Sequence, residues 1–391
     1  MKDLLFVIPT LRMGGAEKSL VSLLKALDPN RVNVDLFLFE AGGVLQSEIP
    51  QWVNIIEADT VTRGVMLELR YYLKDMLKEG HIKAALDRLA LTLRSKVAKK
   101  PYFGWDMVQK HIPRLQKAYD VAIGFLEGVP DFFVLDKVDA ARKIGWIHSD
   151  LSWKDMPWKE REYYKKLDCL VTISDVCRDG FLKRIPEVAD RMVILENIVL
   201  AEDVLKKAQE APEDQWEQKN VTHIVSVGRL DHHKGMDIGA RAAKALADRK
   251  IPICWHVYGQ GIMHDEIQRY VEENQLQGIF VLEGLRKNPY PYMKHGDILV
   301  QPSRLEGKSL VLDEAKILGK AIVVTNYPSV TDQITHGETG IITGMEPESI
   351  ADGVEQLIKD SQLKAKLENN ARQEPNQSYR TLEKFYDLIE K

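Results

Sequence analysis

Leu4-Leu5-Phe6-Val7-Ile8-Pro9, then Gly14-Gly15-Ala16-Glu17, then Leu20, Leu23, Leu24 and Leu27, then Val34–Phe39: this opening stretch decides the fold. The first apolar run is short and stops at a proline, as a buried strand does. The leucines fall at i, i+3, i+4 and i+7, one face of a helix. Val34–Phe39 is the next strand. Strand, glycine-rich turn, helix, strand opens a doubly wound α/β unit. The rhythm continues in Val121–Phe125, Ile144–His148, Leu170–Ser174 and Val193–Leu195. It returns in Ile224–Val227, Cys254–Tyr258, Ile279–Leu282, Ile298–Gln301 and Ala321–Thr325. The chain therefore reads as α/β with two Rossmann-like doubly wound domains, 1–200 and 221–375. An acidic, polar stretch with Pro212 reads as a linker over 201–220, and a C-terminal helix occupies 376–391, centred on Tyr379–Glu390.

Composition bounds the function. At 391 residues, 45% hydrophobic and 29% charged, the chain is globular and long enough for two to three domains of roughly 100–200 residues. A net charge of -4 argues against a globally basic nucleic-acid binder. No apolar run approaches the ~18–20 residues of a membrane-spanning helix. Met1–Pro9 is too short for a signal peptide and reads as a strand. Cys169, Cys177 and Cys254 are too few and too badly spaced for a disulfide framework or a zinc site. They read as buried reduced thiols of a cytoplasmic protein.

The segment 60–118 breaks the strand rhythm. It is helix-forming, and between Arg63 and Lys117 it carries 13 Lys and Arg against 5 Asp and Glu. That local charge of +8 leaves -12 for the remainder. Tyr71, Tyr72, Tyr102, Phe103 and Trp105 are interleaved, and Leu67, Tyr71, Met76 and Leu77 form an imperfect helical stripe. Such a segment is either a solvated face or a docking surface for anionic lipid head groups or a lipid-diphosphate acceptor.

Chemistry concentrates in the second half. Ser226-Val-Gly-Arg-Leu-Asp-His-His-Lys-Gly235 follows a strand, with Gly228 expected at a tight turn. Arg229 and Lys234 offer two cations from one loop, a forked donor and a point charge, which suits a diphosphate. Gln301-Pro-Ser-Arg-Leu-Glu306-Gly-Lys-Ser-Leu-Val-Leu-Asp-Glu314 sets two carboxylates eight apart across a strand-to-helix turn. Ser309 is the expected N-cap. The N–H groups of Ser309, Leu310 and Val311 then form an anion site at the positive end of the helix, with Glu314 beside it.

With these residues in view, the chain resembles the retaining glycosyltransferases of family 4, also called group 1, which have the GT-B fold. The carriers are Gly14-Gly15-Ala16-Glu17, Val227-Gly228-Arg229-Leu230 with Lys234-Gly235, Tyr258-Gly259-Gln260-Gly261, Pro302-Ser303-Arg304-Leu305-Glu306-Gly307 and Gly337-Glu338-Thr339-Gly340. The resemblance implies two domains facing each other across a cleft, with the C-terminal helix crossing back to the first. It implies that Arg229 and Lys234 hold the donor diphosphate, that Glu306 contacts the donor sugar and that Glu314 binds the ribose. Gly14, Gly15, Gly228, Gly259, Leu285, Lys308, Ser309, Leu310 and Val311 complete the implied donor site. His148, in Trp146-Ile-His-Ser-Asp150, matches the family's sugar-side histidine. Lys308 departs from the aromatic or small residue common after this Glu-Gly pair.

The expected reaction is transfer of a sugar from a nucleoside-diphosphate sugar, with uracil as the base, to a hydroxyl of a glycan or lipid-linked acceptor in bacterial surface polysaccharide synthesis. Stabilising the departing diphosphate is the main electrostatic task. The chain has no Asp-x-Asp motif, so Arg229, Lys234 and a helix N-terminus are expected to replace a metal, and no cofactor is expected. No nucleophile and acid dyad of the kind retaining glycosidases use can be assigned. The resemblance implies front-face substitution with retention. The expected location is the cytoplasm, with an anionic membrane surface as a candidate partner. Two rivals remain: a GT-B-fold nucleotide-sugar epimerase, and a non-catalytic nucleotide-sugar-binding subunit of a transferase complex.

Overall fold

The computed structural model describes residues 1–67, 69–97, 103–212, 216 and 218–391. Glu68, Lys99, Lys100 and Tyr102 of the basic segment lie outside the described residues, as do 213–215 and 217 of the expected linker. Contacts divide the chain into two units: Met1–Ile198 with Tyr379–Lys391, and Val199–Ser378.

The first unit holds β1 (Lys2–Ile8), β2 (Val32–Leu38), β3 (Asn54–Glu57), β4 (Ala118–Gly124), β5 (Asp139–Ile147), β6 (Cys169–Thr172) and β7 (Met192–Ile194). Their order is β3-β2-β1-β4-β5-β6-β7, and each neighbouring pair is parallel. Helices cover both faces of such a sheet, so its central strand reads as an unbroken apolar run: Leu4 to Ile8 are all buried. The helix Gly15–Ala26 buries Leu20, Leu23 and Leu24, the stripe the spacing demanded. The C-terminal helix Ser378–Glu390 belongs here. Phe385 stacks on Phe6 at 6.1 Å, the Asp28 N–H donates to the Tyr386 hydroxyl at 2.7 Å, and Arg31 pairs with Glu390 at 2.7 Å.

The second unit holds β8 (Thr222–Val227), β9 (Ile253–Tyr258), β10 (Phe280–Gly284), β11 (Ile298–Gln301), β12 (Ala321–Thr325) and β13 (Ile341–Thr343), in the order β10-β9-β8-β11-β12-β13, again parallel throughout. One buried cluster, including Trp255, Phe280 and Val323, lies on one face, and another, including Tyr258, Leu312 and Val324, on the other. Within the expected linker 201–220, Ala201–Lys207 is a helix, and Val204 and Ala208 are buried in the second cluster. The chain's two crossings between units are tied together, because the Val199 N–H donates to Ser378 Oγ and Ser378 Oγ donates to the Val199 carbonyl, both at 2.9 Å.

Two short strands were missed by the sequence reading, β3 and β13. Both are sheet edges, where four and three residues leave little alternation to read. The stripe in the basic segment also needs correction. Met76 is buried, but Tyr71 and Leu77 are exposed; the core is instead reached by Ala84 and Ala85 of the helix Ile82–Val97. Small side chains let that helix lie close; Leu91 packs against the core, while Leu86, Leu89 and Leu93 turn outward.

Candidate functional site

In an open parallel sheet, ligands bind beyond the carboxyl ends of the strands, where the strand order reverses. In the second unit that point lies between β8 and β11. The loops after these two strands carry Lys234 and Glu306, 72 residues apart in sequence. Lys234 Nζ donates to Glu306 Oε1 at 2.7 Å and to Oε2 at 2.9 Å. The Lys234 side chain is 19% exposed and that of Glu306 9%, so little water screens the pair.

Close approach of the loops requires glycine at two places. Gly235 has a φ of +64°, and a Cβ there would fall 2.0 Å from the Pro302 carbonyl oxygen. A Cβ at Gly259 would fall 1.8 Å from the carbonyl oxygen of Gly228. The tight position is therefore Gly259 rather than Gly228, whose own φ is not in the left-handed region. Arg304 clamps the same loops: its guanidinium grips Asp237 with bonds of 2.7 and 2.6 Å, and its N–H donates to the His233 carbonyl at 2.7 Å.

Glu306 is held by residues the sequence reading gave no role. Gln301 Nε2 and Ser303 Oγ each donate to its Oε1 at 2.7 Å, and Ser329 Oγ donates to its backbone carbonyl at 2.8 Å. Gln301 also accepts from Ser309 Oγ at 2.8 Å. The available signal was Gln301 itself, an amide closing an otherwise apolar strand.

The helix Leu310–Ile317 starts at the expected N-cap, Ser309, but by another bond pattern. The Ser309 hydroxyl makes no capping bond, and its N–H is taken by Gln333 Oε1 at 2.8 Å. Ser309 N–H therefore does not stand ready for an anion, as expected of it; the first helical turn, Leu310 and Val311, still lacks intrahelical acceptors for its N–H groups. Glu314 lies one turn on, buried, and its Oε1 accepts from the Tyr290 hydroxyl at 2.8 Å. Lys308 is half-buried beside this start, and Leu285, 36% exposed, follows β10.

Arg229 is not gathered into the pair. Its side chain is 68% exposed, and its Nε lies 3.3 Å from Asp231 Oδ2. Asp231 also accepts from the Lys234 N–H at 3.0 Å, so one carboxylate links the base of both cations.

In the first unit, Gly14 is the N-cap and Gly15 the first residue of the helix after β1. A Cβ at Gly14 would meet the Glu17 carboxylate at 2.2 Å, so that side chain folds back over the helix start. His148 follows β5. Its N–H donates to Glu127 Oε2 at 2.9 Å, and its ring lies 4.9 Å from that of Phe125. Burial pushes the imidazole down to about 4 although the Glu127 carboxylate pulls it up, so the ring is neutral at pH 7. Its Nε2 is buried with no partner among the described residues.

A lysine and a carboxylate meeting beyond the carboxyl ends of β8 and β11, at the switch point, mark the candidate ligand site of a doubly wound domain. Residues 208–374, which lie within the second unit, match the model of the glycosyl transferases group 1 family. Among curated proteins, the chain is 28% identical over 214 residues to the N-acetylgalactosamine-N,N'-diacetylbacillosaminyl-diphospho-undecaprenol 4-alpha-N-acetylgalactosaminyltransferase of Campylobacter jejuni, covering 54% of this chain and 56% of the relative. It is 26% identical over 200 residues to the poly(ribitol-phosphate) alpha-N-acetylglucosaminyltransferase of Staphylococcus aureus, covering 50% and 40%. The chain thus spans about half the length of the curated relatives it matches. Among solved structures, a mutant of S. aureus TarM with UDP, fondaparinux and alpha-GlcNAc-glycerol matches at a TM-score of 0.71 and 16% identity, covering 100% of both chains. Anabaena HepE with UDP and glucose matches equally, at 0.71 and 16% over 100% of both. These likenesses give the fold: two Rossmann-like units, as in GT-B.

Proposed function

We propose that the chain is a glycosyltransferase that moves a sugar from a nucleoside-diphosphate sugar, with UDP as the nucleotide, to a hydroxyl of a glycan or lipid-linked acceptor in bacterial surface polysaccharide synthesis. The observation that carries this reading is the Lys234–Glu306 pair at the switch point of a sheet that matches the group 1 family. The diphosphate lies against Lys234 and Arg229, with the N-terminus of Leu310–Ile317 as a further donor. Glu306 faces the sugar and Glu314 the ribose. Neutral His148 offers Nε2 to a sugar hydroxyl. The leaving diphosphate is stabilised without a metal, accepts the acceptor's proton, and departs from the face that the acceptor enters, so configuration is retained. The acceptor class takes support from the relatives, one named for a diphospho-undecaprenol substrate and one for poly(ribitol-phosphate). UDP takes support from the TarM and HepE structures.

The acceptor side of the proposal is an anionic membrane surface on the cytoplasmic side. Among the described residues no helix is long and apolar enough to cross a membrane. The helix Ile82–Val97 instead turns Ile82, Leu86, Leu89, Leu93 and Val97 to solvent, between 46 and 81% exposed. Their spacing of four and three makes one stripe. Lys74, Lys78, Lys83 and Arg94 are exposed around it. An apolar stripe flanked by cations suits the boundary between anionic head groups and acyl chains.

Incubation with a panel of nucleotide sugars, following release of nucleoside diphosphate without acceptor, tests the donor reading. Slow hydrolysis of one UDP-sugar is expected. Sugar inversion at a ring carbon with no diphosphate release would make the protein an epimerase. Binding of nucleotide with neither outcome, even with acceptor extracts, would leave a binding subunit.

A further inference from the structure

A second cluster of polar side chains lies at the opposite end of the same sheet. His223 sits near the start of β8 and Cys254 near the start of β9, directly paired in register; His256 is two residues further along β9. Alternate residues of a strand share one face, so the three side chains point the same way. His223 Nδ1, His256 Nε2 and Cys254 Sγ all lie within 4.8 Å of one another. Lys234 and Glu306, by contrast, follow the carboxyl ends of β8 and β11.

The hydrogen bonds around the histidines do not balance with neutral groups. His223 Nε2 lies 3.1 Å from the Gln218 carbonyl oxygen. His256 Nδ1 lies 2.7 Å from Glu283 Oε1. A carbonyl and a carboxylate only accept, so both outer nitrogens carry N–H. Each neutral imidazole has a single N–H, and both are spent outward. The inner nitrogens, 3.0 Å apart, then face each other with lone pairs. The set balances only with a third proton, on a ring or on Glu283, or with a metal ion between the inner nitrogens.

We infer that His223, His256 and Cys254 bind a zinc ion. A shared proton needs no sulfur, whereas this face supplies a buried one, Cys254 being 2% exposed. Two imidazoles and a thiolate form a donor set that zinc takes. Metal-binding histidines hold their far nitrogens on carboxylates or carbonyl oxygens, which is the arrangement of Glu283 and Gln218. Two Zn–N bonds of about 2.0–2.1 Å at a near-tetrahedral angle put the nitrogens roughly 3.4 Å apart, so the rings need to part by only a few tenths of an ångström. Trp216 fixes both ring planes, stacking on His256 at 4.2 Å and on His223 at 4.5 Å. Binding replaces the thiol proton of Cys254, which is released to solvent. The ion staples β8 to β9, far along the sheet from the donor loops, and has no part in the transfer.

The test uses the full chain, purified, stripped with a chelator and reloaded. Elemental analysis is expected to give one zinc per chain. Cobalt(II) as a probe is expected to show a sulfur-to-metal charge-transfer band in the near ultraviolet. Cys254→Ser should abolish that band, and Glu283→Gln should weaken zinc binding about 10–100-fold by releasing the His256 ring. Zinc should also raise the melting temperature of the wild type, a readout that does not depend on the variants folding. No retained zinc, no charge-transfer band and no thermal shift would overturn the site and leave a proton between the rings. A charge-transfer band that survives Cys254→Ser would overturn it as well.

Discussion

Lys234 Nζ bridges both carboxylate oxygens of Glu306, and each of these residues is anchored independently, Lys234 through Asp231 and Glu306 through Gln301 and Ser303. The pair is preorganised rather than adventitious. A lysine locked to a carboxylate is less available to a phosphate, so an arriving diphosphate must share it. In the proposed reaction, such sharing would let Lys234 carry charge between Glu306 and the leaving group as the glycosidic bond breaks.

Lys234→Ala and Arg229→Ala are each expected to slow donor turnover about 10–150-fold, from a charged hydrogen bond worth roughly 1.5–3 kcal/mol. The larger loss belongs to Lys234, because its removal also leaves Glu306 without its cation. Steady-state hydrolysis of the donor by folded variants measures this. Unchanged turnover in both would remove the diphosphate from this loop.

Glu306→Gln is expected to lower turnover at least tenfold with little change in UDP affinity. Glu314→Gln should do the reverse, weakening UDP binding by up to about tenfold, since it exchanges a charged acceptor for a neutral one. Calorimetric titration of UDP into both variants separates the roles. The opposite pattern would mean that the two carboxylates exchange assignments.

Omitting magnesium and manganese from the assay should leave the donor rate within about twofold. In the proposed reaction, Arg229, Lys234 and the helix N-terminus take the place of a divalent ion as the positive charge on the leaving group. An absolute requirement for either ion would overturn this.

His148 carries a sign-defined pH dependence. Its folded-state value near 4 lies below the unfolded value near 6.5, so between these limits the unfolded chain binds the extra proton. Stability from this group is present above pH ~6.5 and is lost as pH falls toward 4. Melting temperatures between pH 7 and 5 should fall more steeply for the wild type than for His148→Gln. Parallel curves, or a His148 imidazole that titrates near 6.5 by NMR, would contradict the burial argument.

Vesicles containing anionic lipid should bind the protein at low salt and release it as salt rises, because the screening length falls from ~10 Å at 0.1 M to ~3 Å at 1 M. Leu86→Ser with Leu93→Ser should weaken that binding while sparing slow donor hydrolysis, since both side chains are exposed and contribute no core packing. A wild type that ignores anionic vesicles at low salt reduces the stripe and its cations to a solvated face.

The chain's sequence determined the sheet and the loops. Leu4–Ile8 and the strand ending at Gln301 are short, nearly unbroken apolar runs, as strands covered on both faces are, and the leucines of the first helix repeat every 3.6 residues, so they are readable without the fold. Glu306 and Glu314 are legible because their spacing across a strand-to-helix turn is itself local. Tertiary structure alone decided which partners those residues meet. Lys234 reaches Glu306 only because the strand order carries β11 next to β8, and Gly235 lets the loops touch. The Ser309 N–H is claimed by Gln333, 24 residues on, which no local rule foretells. The helix Ile82–Val97 shows the same limit, since the segment read as helix-forming but which of its residues would be buried depended on the core it packs against. The cluster of His223, Cys254 and His256 is invisible as a spacing, because parallel register, not sequence distance, brings an imidazole of one strand beside a thiol of the next.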